Sequence, residues 1–512
     1  MTVVSNPVVN ITKAPASQTI SNAPQKVLII GQQTGTFYTS GQLIEEIGNA
    51  NVEIGNIGKG SHLAEMVRAF KNVNEVTRVD AIPLDDAGGA VDATGTIAFT
   101  GTATEAGTIT VYIGSRKNHA YSIAVASADT ASDIGDKLVT AIGDDEYAVV
   151  SGVNTTGSVA LTAKNGGTVG NNIGLQVSGA VTGISSTVTA MSGGATDPTL
   201  TTLFDVIGEE RYQTIIYPGS YAIATLTTDF LDGRWNVSNS IQDGVGIISK
   251  TDTFANIGTF LDAQNSQSLV VHCNETVNDA LYKGSSLFEL DDVISAQVGA
   301  IRSLRLTDGS NVSRHVIASN LDLIGGTSAA SLPYFNTPLF DLPIIDIGKG
   351  FSSTEVASIN AKGGFVAGNN VTRSNVILGQ VYTTYKTDVA GNVDQTYQFL
   401  NYVDTLSNIA EFFFNNLRAD YAQYRLTDGA VVNGRNIANE QTLKSSFVEY
   451  YNTLSGPDYV LTRAGQENLN YFIENLSFTL DLLDGKVTSI AEVPLVVQLR
   501  QMDVILKAVF NT

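Results

Sequence analysis

The sequence predicts an α+β multidomain protein. Its expected parts are an α/β core domain, an inserted β-rich domain, a C-terminal α+β domain, and extended N- and C-terminal strand arms. Three observations predict this. Compact apolar runs alternate with helix-period segments over 25–84 and again from about 197. Between them, from Asp85 to about Ser192, the composition shifts to Gly, Thr, Ala, Ser and Val in short alternating stretches. At the end, Met502, Val504, Leu506, Ala508 and Phe510 are apolar at every second position, the period of a half-buried strand.

The elements follow in order. Residues 1–24, rich in Ser, Asn, Thr and Pro, read as an extended arm with a brief alternating piece, Val8 to Thr12. "KVLIIGQQ" (Lys26 to Gln33) reads as a buried strand. In "GSHLAEMVRAFKNVN", Leu63, Met66, Val67 and Phe70 share one helix face, with Ser61 as N-cap and Glu65 in the first turn. "EVTRVDAIPL" reads as a second strand. Residues 85–196 read as a separate domain, with strands such as "GTIAFTG", "GTITVYIG" and "SVALTAKNG". One helix, "TASDIGDKLVTAIG", interrupts them, with Ile134, Leu138 and Ile142 on one face.

From about Asp197 to 350 the core domain resumes. "TTLFDVIGEE", "DFLDGRW" and "FANIGTFLDAQ" read as helical and alternate with the strand-like "YQTIIYPG", "GVGIISK" and "SLVVHCN". This alternation implies crossover connections and a largely parallel, helix-covered sheet. Residues 351–500 form the expected C-terminal domain: a strand in "VILGQVYTTYKTD", then a long helix with Leu406, Ile409, Ala410, Phe413 and Leu417 on its stripe. A second helix ending at Gly456-Pro457 and a hairpin turning at Asp484-Gly485 follow. Residues 501–512 are the closing strand.

Composition narrows function. The 512 residues carry 29 basic and 50 acidic side chains, a net charge of -21, which repels phosphates and argues against nucleic acid. A single cysteine, Cys273, excludes an internal disulfide framework. The first twenty residues lack a basic start and apolar run, and no stretch reaches 18 uninterrupted apolar residues, so the expectation is folding in the cytoplasm without membrane insertion.

No catalytic constellation stands out, and neither an enzyme nor a cofactor or metal is expected. "GNIGKGS" (Gly55 to Ser61) fails the phosphate-loop pattern, because Gly60 separates Lys59 from Ser61 and Glu53 stands where the first Gly belongs. His272 and Cys273 are strand neighbours pointing to opposite faces and cannot chelate together. The pairs Asp85-Asp86 and Asp291-Asp292 are read as solvated acidic faces. The informative parts are the ends. A half-apolar strand at a terminus either closes its own sheet or completes a neighbour's.

Four stretches carry a resemblance: "GKGSHLAEMVRAF" (Gly58 to Phe70), "INAKGGFV" (Ile359 to Val366), Val376 to Ile409 with its Thr-Thr-Tyr centre, and the closing strand region. In their order along the chain, they resemble the contractile tail sheath proteins of bacteriophages, nearest to those of Mu-like phages. Where many sheath proteins carry a Pro-Gly-Val-Tyr-like motif near the start, this chain has "PVVNIT". The resemblance implies a virion tail component assembled in the host cytoplasm. It would stack as hexameric rings into a helical sheath around the tail tube, with baseplate and neck or terminator proteins at its ends. Arms of neighbours would join a third subunit's sheet, and contraction by rigid-body rearrangement would drive the tube through the host envelope, without nucleotide. On this reading Val9 and Ile11 of the first arm, and Met502, Val504, Leu506 and Phe510 of the last, pair between subunits. Residues 351–512 would lie nearest the tube, and the insertion would face outward. A secreted or surface-layer structural protein, and an enzyme with a β-rich accessory domain, are the rival readings.

Overall fold

The computed structural model describes residues 25–48, 50–201, 203–235, 240–306, 334–431, 436–456 and 461–496, and of 227–229 the backbone alone. Residues 1–24 and 501–512, expected to form the terminal strand arms, lie outside the described residues.

Strand β1 (Lys26–Gln32) shows why the centre folds as it does. Val27 and Ile29 enter one hydrophobic cluster and Leu28 and Ile30 the other, so a continuous apolar run fills both sides of one strand. Its parallel neighbours are β2 (Arg78–Leu84) and β10 (Thr214–Ile216). β11 (Val245–Asp252) and β12 (Leu269–Asn278) extend the sheet beyond β10, also in parallel. Helices α1 (Ala50–Ile57) and α2 (His62–Val73) lie between β1 and β2 in the chain. Ser61 caps α2 by accepting from the Ala64 amide. Helix α7 (Asp291–Leu306) is buried throughout and packs on α2, β10 and β11.

The β-rich stretch continues this sheet. β12 turns antiparallel to β13 (Tyr282–Ser285), which pairs with β8 (Leu175–Ser178), and β4 (Gly107–Ile113) and β5 (Ser115–Val125) follow. The order is β2-β1-β10-β11-β12-β13-β8-β4-β5. A second sheet, β6-β7-β3-β9, is built from β3 (Asp92–Gly101), β6 (Val150–Thr155), β7 (Ser158–Gly166) and β9 (Ile184–Ser192). Helix α3 (Ala131–Asp144) packs on it through Ile134, Leu138 and Ile142, held at its start by a Thr130–Asp133 capping box. The molecule is therefore mixed α+β, parallel at its centre and antiparallel beyond β12.

Four local expectations change. The helix read in "TTLFDVIGEE" shrinks to α4 (Phe204–Ile207), ended by Gly208 in the left-handed region. The strand read over 376–388 is confined to Val376–Leu378. Beyond it Thr383 and Thr384 bond across to Tyr397, Leu269 and Ser266, strapping the start of β12 instead of forming a ladder. The long helix α9 (Leu400–Tyr421) is turned from its apolar stripe: Ala410 is exposed, and Asp404, Asn408, Glu411 and Phe412 are buried. Lastly, Asp291 and Asp292 are buried, not solvated, because they open α7 beneath the ends of β11 and β12.

Candidate assembly interface

The C-terminal region is built on helices α9, α10 (Glu440–Leu454) and α11 (Gln466–Glu474). Asn439 caps α10 in a capping box with Thr442. On them rests a hairpin, β19 (Leu476–Asp481) with β20 (Lys486–Ala491), in full antiparallel register from Leu476↔Ala491 to Asp481↔Lys486. Its tight end is shaped by Asp481, whose Oδ1 accepts from the amides of Leu483 at 3.0 Å and Asp484 at 3.2 Å. Gly485 supplies the positive φ.

The hairpin presents two different faces. Leu476 is buried with Phe447, Tyr451 and Phe472, and Phe478, Ala491 and Val493 pack against them. The other face is exposed: Ile490 is 65% accessible, and Leu483 at the tip 98%. Among the described residues, neither β19 nor β20 pairs with any further strand, so each carries a free row of backbone donors and acceptors. A two-stranded sheet is marginal alone; this one leans on α10 and α11 and offers two edges.

Beyond β20 the chain is tied down again. The Arg463 amide donates to Pro494 O at 2.9 Å, its Nε to Leu495 O at 2.9 Å, and the Val496 amide to Leu461 O at 3.2 Å. Tyr402, Arg463 and residues Pro494, Leu495 and Val496 line a cleft of about 290 Å³. The sequence-predicted pairing residues Val9, Ile11, Met502, Val504, Leu506 and Phe510 all lie outside the described residues.

The places where chemistry could reside are braced by the protein itself. A cleft of about 560 Å³ opens at the carboxyl ends of β10 and β11, lined by His62, Asp197, Tyr221, Lys250, Asp291 and Asp292 among others. Such an edge is where α/β sheets hold ligands. Here the carboxylates are engaged by protein donors. Asp291 accepts from Thr251 N at 3.0 Å, Thr251 Oγ1 at 2.6 Å, Asn274 Nδ2 at 3.2 Å and Asn172 Nδ2 at 3.1 Å, and Asp292 Oδ2 lies 2.7 Å from His62 Nδ1. Burial, with Asp292 beside it, pushes the Asp291 carboxyl up to about 6.

Elsewhere, burial lowers His272 to about 3 and raises the Cys273 thiol. His272 faces Ser249 and Phe365, and Cys273 sits in the opposite cluster. In "GNIGKGS", a Cβ on Gly58 would meet Gly35 N at 2.4 Å, and one on Gly60 would meet Ala148 O at 2.2 Å. Those glycines let neighbouring backbone approach closely. Among the described residues, no group of three or more His, Cys, Asp or Glu side chains is placed to hold a metal, and no helix is long and apolar enough to cross a membrane.

No family model matches the chain. The Mu-like prophage FluMu tail sheath protein of Haemophilus influenzae is 25% identical to it over 444 residues, which covers 84% of this chain and 83% of that one. Two solved structures are similar at low identity. The sheath tail protein Lin1278 of Listeria innocua has a TM-score of 0.45 at 12% identity, covering 94% of this chain and 93% of the other. The helical sheath of the anti-feeding prophage in its contracted state has a TM-score of 0.44 at 10% identity, with 99% of each covered. By sequence, the chain is similar to this Mu-like prophage tail sheath protein over most of the length of both.

Proposed function

We propose that the chain is a structural subunit of a contractile phage tail sheath. It polymerises helically around a tail tube by exchanging β-strands between subunits, and it shortens by rigid-body rearrangement to drive the tube through the host envelope. Its partners are further copies of itself in stacked hexameric rings, the tube protein, and baseplate and neck proteins. The insertion faces outward and the C-terminal region faces the tube. The work of contraction comes from two packings of one subunit, so no catalytic centre is required.

The observation that carries this reading is the β19–β20 hairpin: two edges unpaired among the described residues on a preformed, helix-backed platform, shortly before the segment in which every second residue from Met502 to Phe510 is apolar. A platform already ordered lowers the entropy cost of adding a strand. Each Val, Leu or Phe side chain buried by the incoming strand contributes about 1.5–3 kcal/mol, and each backbone bond about 1 kcal/mol.

The test compares the full chain with one lacking residues 501–512 by negative-stain electron microscopy. Tubes or stacked rings from the first and monomers from the second are expected. Monodisperse monomers from both, equally stable to heat, would remove strand exchange from the reading.

A further inference from the structure

The tip of the β19–β20 hairpin has the wrong chemistry for a turn left in water. Turns favour Gly, Pro, Asn, Asp and Ser, yet this one begins with Leu482 and Leu483, which are 48% and 98% accessible. Behind them Leu480 and Val487 form a cross-strand pair, each half-buried and in none of the hydrophobic clusters. Phe478 and Ala491, nearer the base, are the strand residues that pack on the helices. The hairpin therefore projects past its support and ends in apolar surface. Asp484 stands beside the leucines, exposed, and its carboxylate has no hydrogen bond or ion pair among the described residues.

Beyond the opposite end of β20 lies the cleft of about 290 Å³, near the lower bound of small-ligand pockets. Pro494, Leu495 and Val496 give it an apolar wall of half-buried side chains, and Val496 joins none of the hydrophobic clusters. Arg463 in its lining is exposed. Its Nε donates to Leu495 O at 2.9 Å, and its guanidinium makes no ion pair among the described residues. The tip thus offers leucines beside an unpaired carboxylate, and the cleft offers an apolar hollow beside an unpaired guanidinium. β20 has six residues, a span of about 20 Å, so the tip cannot enter the cleft of its own chain.

We propose that tip and cleft join between copies: Leu482 and Leu483 of one subunit seat against Tyr402, Pro494, Leu495 and Val496 of the next, with Asp484 beside Arg463. Such a contact is head-to-tail, so it repeats from copy to copy instead of closing in a pair. It rests on the reading that the chain polymerises, and it uses neither edge of the hairpin, so an added strand and a seated tip can coexist.

The leucines supply the strength and the charges the direction. Burying one leucine side chain changes an association constant about ten- to a hundred-fold. A pair at the rim of a contact adds little affinity but opposes wrong orientations. That matters in a chain of net charge -21, whose copies repel one another at long range.

Disulfide trapping in the full chain tests this, because the native Cys273 is buried and an oxidant links only cysteines placed at the surface. Leu483→Cys and Val496→Cys are made singly and together, and oxidised at the concentration used for electron microscopy. The double variant is expected to give a ladder of dimers, trimers and longer species on a non-reducing denaturing gel. An equimolar mixture of the two single variants is expected to stop at dimers, and each single variant alone to stay monomeric. Separately, Leu482→Ser with Leu483→Ser is expected to raise the concentration needed for assembly at least ten-fold with an unchanged melting curve. A double variant that stays monomeric overturns the contact, and this is the result if residues 497–512 of the same chain fill the cleft. Links formed by either single variant alone, tip to tip or cleft to cleft, overturn it too. Tubes without a ladder leave the sheath reading standing and remove this contact; a ladder without tubes does the reverse.

Discussion

Arg302 of α7 and Asp404 of α9 meet in the interior, Nη2 to Oδ1 at 2.7 Å, with the arginine side chain 4% accessible and the carboxylate fully enclosed. Arg302 also donates to Thr214 Oγ1 at 2.6 Å, and Tyr334 donates to Asp404 Oδ2. A second tie runs alongside, from Arg211 to Glu411 at 2.6 Å and to Asp243 at 2.7 Å. The longest described helix of the C-terminal region is thus joined to the central sheet by buried charge pairs, which do not tolerate partial separation.

Replacing Asp404 by Asn should therefore be severe. It leaves the Arg302 charge buried without its partner, a loss on the order of 3–5 kcal/mol. Arg302→Met with Asp404→Leu removes both charges and should recover most of it. Urea unfolding of the three chains decides: a single mutant as stable as the parent would mean the pair is not buried in solution.

Gly299 makes a second case. It lies mid-helix in α7, where Ala would ordinarily stabilise by up to about 1 kcal/mol. A Cβ there would meet Ile216 Cδ1 at 2.4 Å and Cγ1 at 2.8 Å, because α7 presses directly on β10. Overpacking of this kind costs about 1–3 kcal/mol. Gly299→Ala should lower the thermal midpoint, and a raised midpoint would show that the helix can lift off the strand.

Cys273 gives a readout that needs no mutation. It is fully buried, and burial raises its thiol well above the usual range. A disulfide reagent at pH 8 should label it only as fast as the chain unfolds globally, with the rate rising in step with added denaturant. Rapid stoichiometric labelling of the native chain would contradict the packing around β12.

Much of this was legible in the sequence, for reasons that differ by element. β1 and α2 were readable because their burial follows local periods: Val27 to Ile30 alternate between two clusters, and Leu63, Met66, Val67 and Phe70 share a face. The joining of β13 to β8 was not, since a pairing between residues more than a hundred apart leaves no local pattern. Asp291 and Asp292 misled, because an adjacent acidic pair reads as surface unless the donors that bury it, Thr251, Asn274 and His62, are known to converge. In the C-terminal hairpin both strands and the turn could be read, but not that no third strand joins them among the described residues.

That open hairpin allows stability and assembly to be separated. Ile490 stands outward on β20, opposite Ser477, and is 65% accessible, so it contributes little to the isolated subunit. Ile490→Asp should change unfolding free energy by no more than about 0.5 kcal/mol, the usual range for surface positions. If a neighbour's strand is added across this hairpin, the same carboxylate lies on the augmented face, loses apolar burial worth about 1.5–3 kcal/mol per subunit, and brings uncompensated charge into the contact. Repeated at every subunit of a polymer, that loss should abolish tubes in electron micrographs while leaving the monomer's melting curve in place. Phe478→Ala is the complementary probe. Its ring packs inward near Phe447, with centroids 5.1 Å apart, so it should lower monomer stability by roughly 1–3 kcal/mol, the cost of a partly buried large-to-small change. An Ile490→Asp chain that still polymerises normally would move the recipient surface away from β19–β20, whatever the fate of Phe478→Ala.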